Sequence, residues 1–208
     1  YKSQNYQNKE LIVIINTKNK IDLETFKNLL DKNHTDNITH YFQPHTVSLG
    51  ECLNFAVSKS SGDFVAKMDD DDTYFPNYLT DQILALRYAN TNIVGKALYY
   101  TKVDENIYLR KIGEENQFVF QVHGGTLVIN KNLAIDIGFA HVSEGEDTSF
   151  LLTAQNRGEK IYASHRFNFL YNRDYQNVQN HTWKISEHDF LSQCNRCGGL
   201  NYINNVRN

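Results

Sequence analysis

The sequence predicts an α/β fold, a largely parallel sheet flanked by helices, from three observations. Apolar runs rich in β-branched residues, such as Leu11-Ile12-Val13-Ile14-Ile15, read as strands buried on both faces. These runs alternate with stretches of helical apolar periodicity, the pattern of βαβ units. Four consecutive aspartates, Asp69 to Asp72, directly succeed one apolar run. In open α/β sheets ligands bind beyond the carboxyl ends of the strands, so the aspartates stand where a site is expected.

Residues 10–15 form the first strand, and Asp22 caps a helix from Leu23 with Phe26 and Leu30 on its inner face. Thr39 to Gln43 is a second strand. Ser48 and Glu51 make a capping box for a helix whose stripe is Leu49, Cys52, Leu53, Ala56 and Val57, ending near Gly62. Phe64 to Met68 is the strand before the aspartates, and Pro76 starts a helix with Leu79, Ile83 and Leu86 inward. Ile93 to Tyr99 is a further strand, and Val103 to Gly113 a hairpin or a loop excursion. Gly124 to Ile129 reads as a strand opened by two glycines, which either admit a ligand close to the backbone or mark a bulge. Glu146 to Gln155 is a helix burying Phe150, Leu151 and Ala154, with short strands after it at 161–163 and 167–171. The expected organisation is one domain over residues 1–185 and a loosely packed tail over 186–208.

Composition removes several classes of function. The 208 residues carry a net charge of -3 and no Lys/Arg cluster, which argues against nucleic-acid binding through phosphate neutralisation. No run of 18 apolar residues is present, so no membrane-spanning helix is expected. No signal peptide is visible, and Tyr1 is not an initiator, so the expectation is a processed product or a fragment, working in the cytoplasm or at the inner face of the membrane. Of 3 cysteines, Cys52 falls in a helical apolar stripe and reads as a buried small hydrophobe. Cys194 and Cys197 form one Cys-x-x-Cys, either half of a zinc site or two free thiols.

The aspartate run carries the chemistry. Unit charges ~4 Å apart repel by about 4 kcal/mol at an effective dielectric of ~20, so such a cluster calls for a counter-cation. Hard carboxylate oxygens suit a divalent ion. If the strand continues, alternate side chains share one side, so Asp69 and Asp71 point together and Asp70 away. An EF-hand is excluded, because its sixth and twelfth positions hold Tyr74 and Thr80 rather than Gly and Glu. A second acidic pair, Glu146-Asp147, opens the later helix. Carboxylates there either complement the helix dipole or serve as a general base for a hydroxyl. Among 8 histidines, His181 stands where a segment can fold back over the site and add an imidazole to a metal shell begun by Asp71. His165 is a rival, and His123 a pocket-lining residue.

The run Ser48-Leu49-Gly50-Glu51, Asn54, Gly62-Asp63, Asp69 to Asp72 and Pro76, joined by Gly145-Glu146-Asp147 and Asn156-Arg157-Gly158, resembles the family 2 glycosyltransferases of the GT-A fold. The likeness covers most of residues 10–185 and is to members that build bacterial surface polymers: capsule, teichoic acid or spore-coat sugars. It implies a metal-dependent, inverting transfer of a sugar from a nucleotide-diphosphate donor, most simply a UDP-sugar, to the hydroxyl of a glycan or polyol. By the same implication Asp69 and Asp70 lie near the ribose and diphosphate. Asp71, with His181, holds Mn or Mg. Asn54 and Asn16 belong to the nucleotide pocket, Asn16 at a position where relatives place acidic residues against the base. Asp147 is the base, supported by Glu146. The family's usual first strand and helix precede the strand matched by Leu11 to Ile15. Residues 1–10 therefore read as the end of that helix and a linker, with the sheet completed by an upstream segment or another chain. The alternatives are a non-catalytic sugar- or metal-binding scaffold module and a metal-requiring hydrolase or nuclease.

Overall fold

The computed structural model describes residues 1–18, 24–25, 28, 37–175 and 184–207. The helix expected after Asp22, with Phe26 and Leu30, lies outside the described residues except for Glu24, Thr25 and Asn28. His181 lies outside them entirely.

Among the described residues the strands form three sheets. Leu11–Ile15 (β1) and Ile38–Phe42 (β2) pair in parallel. The central sheet has the order β3-β9-β5-β10-β8, with β3 Phe64–Ala66, β5 Ile93–Gly95, β8 Gln117–Val119, β9 Val128–Asn130 and β10 Ile161–Ala163. The third has the order β12-β7-β6-β11-β4, with β4 Thr73–Tyr74, β6 Leu98–Val103, β7 Asn106–Lys111, β11 Phe169–Arg173 and β12 Cys194–Gly199. Helices α1 Leu49–Lys59, α2 Tyr78–Ala89, α3 Lys131–Ile137, α4 Glu146–Asn156 and α5 Glu187–Leu191 complete the architecture.

The sheets are mixed, which corrects the expectation of a largely parallel one. β5 and β10 run parallel, as do β6 and β11, but β9 is antiparallel to both β3 and β5, and β8 to β10. The run read as one strand over 93–99 divides at Lys96: β5 stays in the central sheet and β6 enters the third. Hydrophobic periodicity cannot see this division, because Ile93 through Tyr100 are all buried. Residues 103–113 resolve as the hairpin alternative, turning at Asp104, whose φ of 50° is left-handed. The final strand is shifted to 169–173, and helix α3 has no counterpart among the expected elements.

The C-terminal residues are not a loose tail. β12 pairs antiparallel with β7, and Phe190 and Val206 are fully buried. Residues 1–10 are irregular rather than the end of a helix. Buried Gln4 donates to the carbonyls of Tyr74 and Phe75 and accepts from Leu79 N–H, so this segment clamps the turn that enters α2. Cys194 packs against the cluster of Tyr99, Phe169 and Phe190, whereas Cys197 packs against that of Tyr100 and Leu170. The two thiols thus face different cores and are free, against the zinc alternative. No helix among the described residues is long and apolar enough to cross a membrane.

The central sheet buries one face under α3 and α4, where Ile93, Leu127, Ile129, Phe150, Leu151 and Ile161 share a core and Phe139 stacks on Phe150 at 4.9 Å. This packing sets α4 so that the acidic pair at its start lies beside Gly124, just before β9.

Candidate active site

β3 ends at Ala66, before Met68, and its register positions the aspartates. It pairs with β9 as Phe64↔Asn130 and Ala66↔Val128, and the Lys67 N–H continues the ladder onto the Leu127 carbonyl at 2.8 Å. Two steps further, position 69 falls opposite position 125. A β-carbon on Gly125 would lie 2.7 Å from Asp69 Oδ2 and 3.2 Å from Asp72 Oδ2. The adjacent glycine faces the second acidic motif: a β-carbon on Gly124 would lie 1.6 Å from Asp147 Oδ2. Successive α-carbons are 3.8 Å apart, so the Asp69 and Asp147 carboxylates lie within about 11 Å of each other. The paired glycines are a floor on which side chains from residues 69 and 147 both rest. They form a 3₁₀ turn, Gly124–Thr126, rather than the start of a strand.

That floor is held from several sides. Lys96 N–H donates to Thr126 Oγ1, and His123 N–H donates to the Lys96 carbonyl. Gln82 Nε2 donates to the Thr126 carbonyl at 2.9 Å. The Tyr74 hydroxyl accepts from Asp69 N–H at 2.8 Å and donates to the Gly125 carbonyl at 2.7 Å, tying the aspartates to the floor. Burial, and then the charge of Asp69, push the Tyr74 phenol far above its ordinary range, so it remains a donor.

The aspartates occupy a turn, not a continued strand, which corrects the expectation that Asp69 and Asp71 share a side by alternation. Asp69 and Asp72 are half-buried and converge on Gly125, while Asp70 and Asp71 are exposed. Asn172 of β11 fastens the turn. Its backbone N–H donates to Asp72 Oδ1 at 3.0 Å, and its side-chain amide donates to the Asp71 carbonyl and Thr73 Oγ1. Asp72 Oδ2 is buried and accepts no hydrogen bond. Burial pushes its carboxyl up to about 8; the Asn172 N–H opposes this, and Asp69 and Asp71 add to it.

The effect on stability has a definite sign. The unfolded Asp72 carboxyl ionises near pH 4, but the folded one holds its proton to about 8. Between these values the folded state binds the extra proton, so this residue's contribution to stability falls as pH rises. In metal-free protein, the melting temperature of Asp72→Asn should pull progressively above that of the parent from pH 4 to pH 8, as read by thermal denaturation at each pH.

Lys67 links the two acidic motifs, and nothing in its sequence context marks it. Its Nζ is 2.6 Å from Asp69 Oδ1 on a side chain only 8% exposed. Burial lowers the ammonium's pKa, but Asp69, with Glu146 and Asp147 beyond it, more than offsets this and raises it above the ordinary value. Glu146 is buried, and desolvation together with the charge of Asp147 raises its carboxyl pKa. Asp147 Oδ1 accepts from Thr148 N–H at 2.6 Å, which leaves Oδ2 over Gly124. Gly145, with φ of 81°, turns the chain into α4. His123, read from the sequence as a pocket-lining residue, directly precedes the glycine floor and packs its ring among aromatic side chains. Its ring lies against Tyr99, Tyr171 and Phe169, and burial lowers its pKa to about 3, so it is neutral.

Two asparagines expected in the nucleotide pocket are engaged elsewhere. Asn54 pairs through both ends of its amide with the backbone of Phe139, at 2.8 and 2.7 Å, bracing the segment that leads to Glu146. Asn16 Nδ2 donates to the Pro44 and Val47 carbonyls and to Cys52 Sγ, holding the loop before α1. His165 is 3.4 Å from Asp81, beside the N-terminal half of α2. Among the described residues no three or more His, Cys, Asp or Glu side chains form a ready cage for an ion. The orphaned oxygen of Asp72 and the hard carboxylates around it fit Mn or Mg in donor type, with further ligands to come from outside this set.

Known proteins share this fold. No curated protein sequence matches the chain. Among solved structures, S. aureus TarS 1-349 in complex with UDP-GlcNAc superposes with a TM-score of 0.62 at 16% identity, covering 91% of this chain and 57% of that one. GalNAc-T7 with UDP, GalNAc and Mn2+ gives a TM-score of 0.60 at 10% identity, covering 80% and 38%. The chain therefore spans about half the length of the first and less of the second. The profile described as glycosyl transferase family 2 matches residues 1–177, which include both acidic motifs and the glycine floor between them. Sequence and architecture converge, and the chain belongs to glycosyl transferase family 2, with the mixed-sheet α/β architecture of the GT-A fold.

Proposed function

We propose that this chain transfers a sugar from a nucleoside-diphosphate donor, a UDP-sugar in the simplest case, to an acceptor hydroxyl with inversion at the anomeric carbon. The observation that carries the reading is the glycine pair, which seats Asp147 on one residue and Asp69 on the next. Asp147 Oδ2 is the base: it takes the proton of the acceptor hydroxyl as that oxygen attacks the anomeric carbon. Glu146 stands behind it. Asp69 and Asp70 face the ribose and diphosphate. Asp71, exposed at the tip of the turn, would hold Mn or Mg, with His181 as a further ligand. When bound, that metal supplies Lewis-acid stabilisation of the departing diphosphate. The UDP-GlcNAc carried by one structural neighbour and the UDP and Mn2+ carried by the other support this choice of donor and ion. Synthesis of bacterial cell-surface glycan, in the cytoplasm or at the inner face of the membrane, is the setting we infer.

The test is transfer from a panel of UDP-sugars to mixed glycan and polyol acceptors, in Mn2+, in Mg2+ and in excess chelator. Chelator should abolish transfer, and Asp71→Ala should lower it at least about a hundredfold by weakening stabilisation of developing charge. Full turnover in chelator would sink the metal assignment. Calorimetry showing no heat with any UDP-sugar, on a well-folded chain, would favour the scaffold alternative.

A further inference from the structure

Beside the acidic pocket lie two stretches of chain that contribute almost no charge of their own, with the Lys160 ammonium 5.5 Å from the Phe118 ring at their far end. Helix α4 carries no ionisable side chain from Thr148 through Asn156, and the segment 117–126 carries none but the buried, neutral His123. In a chain with 22% charged residues this is an unusual length of neutral surface, and the two stretches lie side by side. At one end Gly124 meets Asp147. At the other, Gln155 Nε2 donates to the Phe120 carbonyl at 2.8 Å. Asp147, Leu151 and Gln155 are four residues apart on one stripe of the helix, so the two anchors are separated by about 12 Å. Four residues of extended chain, 120 to 124, cover about the same span.

On this strip the Phe120 ring is 89% exposed. The exposure does not come from a loose backbone. Val122, two residues on, is buried where a β-carbon on Gly95 would touch it at 2.6 Å, and His123 N–H is tied to Lys96. Leu152, 56% exposed, stands one turn of helix before Gln155, and Gln121, next in the chain, is exposed as well. An aromatic side chain exposed on a firmly held backbone, in a segment with no charged residue of its own, suits the C–H face of a neutral sugar. It does not suit a phosphate polymer or a charged peptide.

We propose that Phe120 is an acceptor subsite, stacking on a ring of an uncharged glycan whose terminal hydroxyl reaches Asp147. This rests on the transferase reading of the pocket. The two anchors are about 12 Å apart along α4, longer than a single ring, so the stacked sugar is not the accepting one but one further along its chain.

The experiment compares the parent chain with Phe120→Ala and Phe120→Trp. Acceptors are β-1,4-linked N-acetylglucosamine and glucose oligomers of one to five sugars, with glycerol phosphate oligomers as a ring-free set. Phe120→Ala should raise KM for oligomers of three or more sugars about 3- to 10-fold, the worth of one aromatic contact. Activity on single sugars, hydrolysis of the UDP-sugar by water and thermal stability should stay unchanged, and Phe120→Trp should restore the long-oligomer KM. Equal effects on short and long acceptors, no effect on either, or preference for glycerol phosphate with indifference to Phe120 would each overturn the subsite. Saturation-transfer NMR of the same oligomers, with UDP present, reads binding without turnover. Oligomer signals as strong with Phe120→Ala as with the parent overturn the subsite, whereas absence of both donor hydrolysis and transfer counts against the transferase reading itself.

Discussion

Asp147→Asn should lower the turnover of sugar transfer about a thousandfold while leaving the donor KM and the melting temperature close to the parent values. The side chain is isosteric, keeps its oxygen as an acceptor for Thr148 N–H, and loses only the charge and basicity that a proton acceptor requires. Removing a general base typically costs 10²–10⁴-fold, roughly 3–5 kcal/mol of barrier. The competing explanation of an acid at this position is the dipole of α4, whose first turn holds both Glu146 and Asp147. That role predicts a loss of only about 0.3–1 kcal/mol in stability and no kinetic effect. Steady-state kinetics beside a thermal melt separates the two. A variant with parental turnover would remove Asp147 from the chemistry.

Gly124→Ala should separate function from stability even more sharply. Its new β-carbon would fall 1.6 Å from Asp147 Oδ2, an impossible approach, so something must move. What it meets is side chain rather than backbone, with Asp147 Cγ at 2.6 Å and Cβ at 3.1 Å also crowded, and Gly124 does not occupy a left-handed conformation that alanine would resist. The cost in folding is therefore that of turning one short side chain aside, about 1–2 kcal/mol. The displaced carboxylate no longer faces the acceptor, and a misplacement of about 1 Å can cost a hundredfold in rate. A drop of at least that size, with a near-parental melt and unchanged UDP affinity by calorimetry, is the expected outcome. Gly125→Ala should instead weaken UDP binding, because the clash there, at 2.7 Å, is with Asp69 on the other side of the floor. Parental transfer by Gly124→Ala would mean that the Asp147 carboxylate does not need its place on the floor.

Much of this site is legible from residue types alone. The aspartate run announces itself by its cost in repulsion. Glu146-Asp147 does so by its place at a helix start. The glycine pair is visible too, with close approach as one of its two readings, and the approach turns out to be by the protein's own carboxylates. Other features are hidden for physical reasons. Lys67 looks like one polar residue in a strand; only three-dimensional packing shows an ammonium between two acidic walls. Tyr74 and Asn172 act through single hydrogen bonds to backbone, which no periodicity encodes. Asn54 and Asn16 are capable of binding a nucleotide, but amides satisfy nearby carbonyls as readily, and here they brace loops. The mixed pairing is hidden because β9 is apolar on both faces, and strands buried in that way read alike whichever way they run.

The pairing of β3 with β9 has a consequence for how this protein can change. Two residues separate Ala66 from Asp69 and two separate Gly125 from Val128, and the match of these two spacers brings acid over glycine. Inserting or deleting one residue in either spacer would slide Asp69 off its seat on Gly125. Insertions should therefore be tolerated at the Asp104 turn and not here. The geometry of this acidic pocket is kept by a count of residues as much as by their identity.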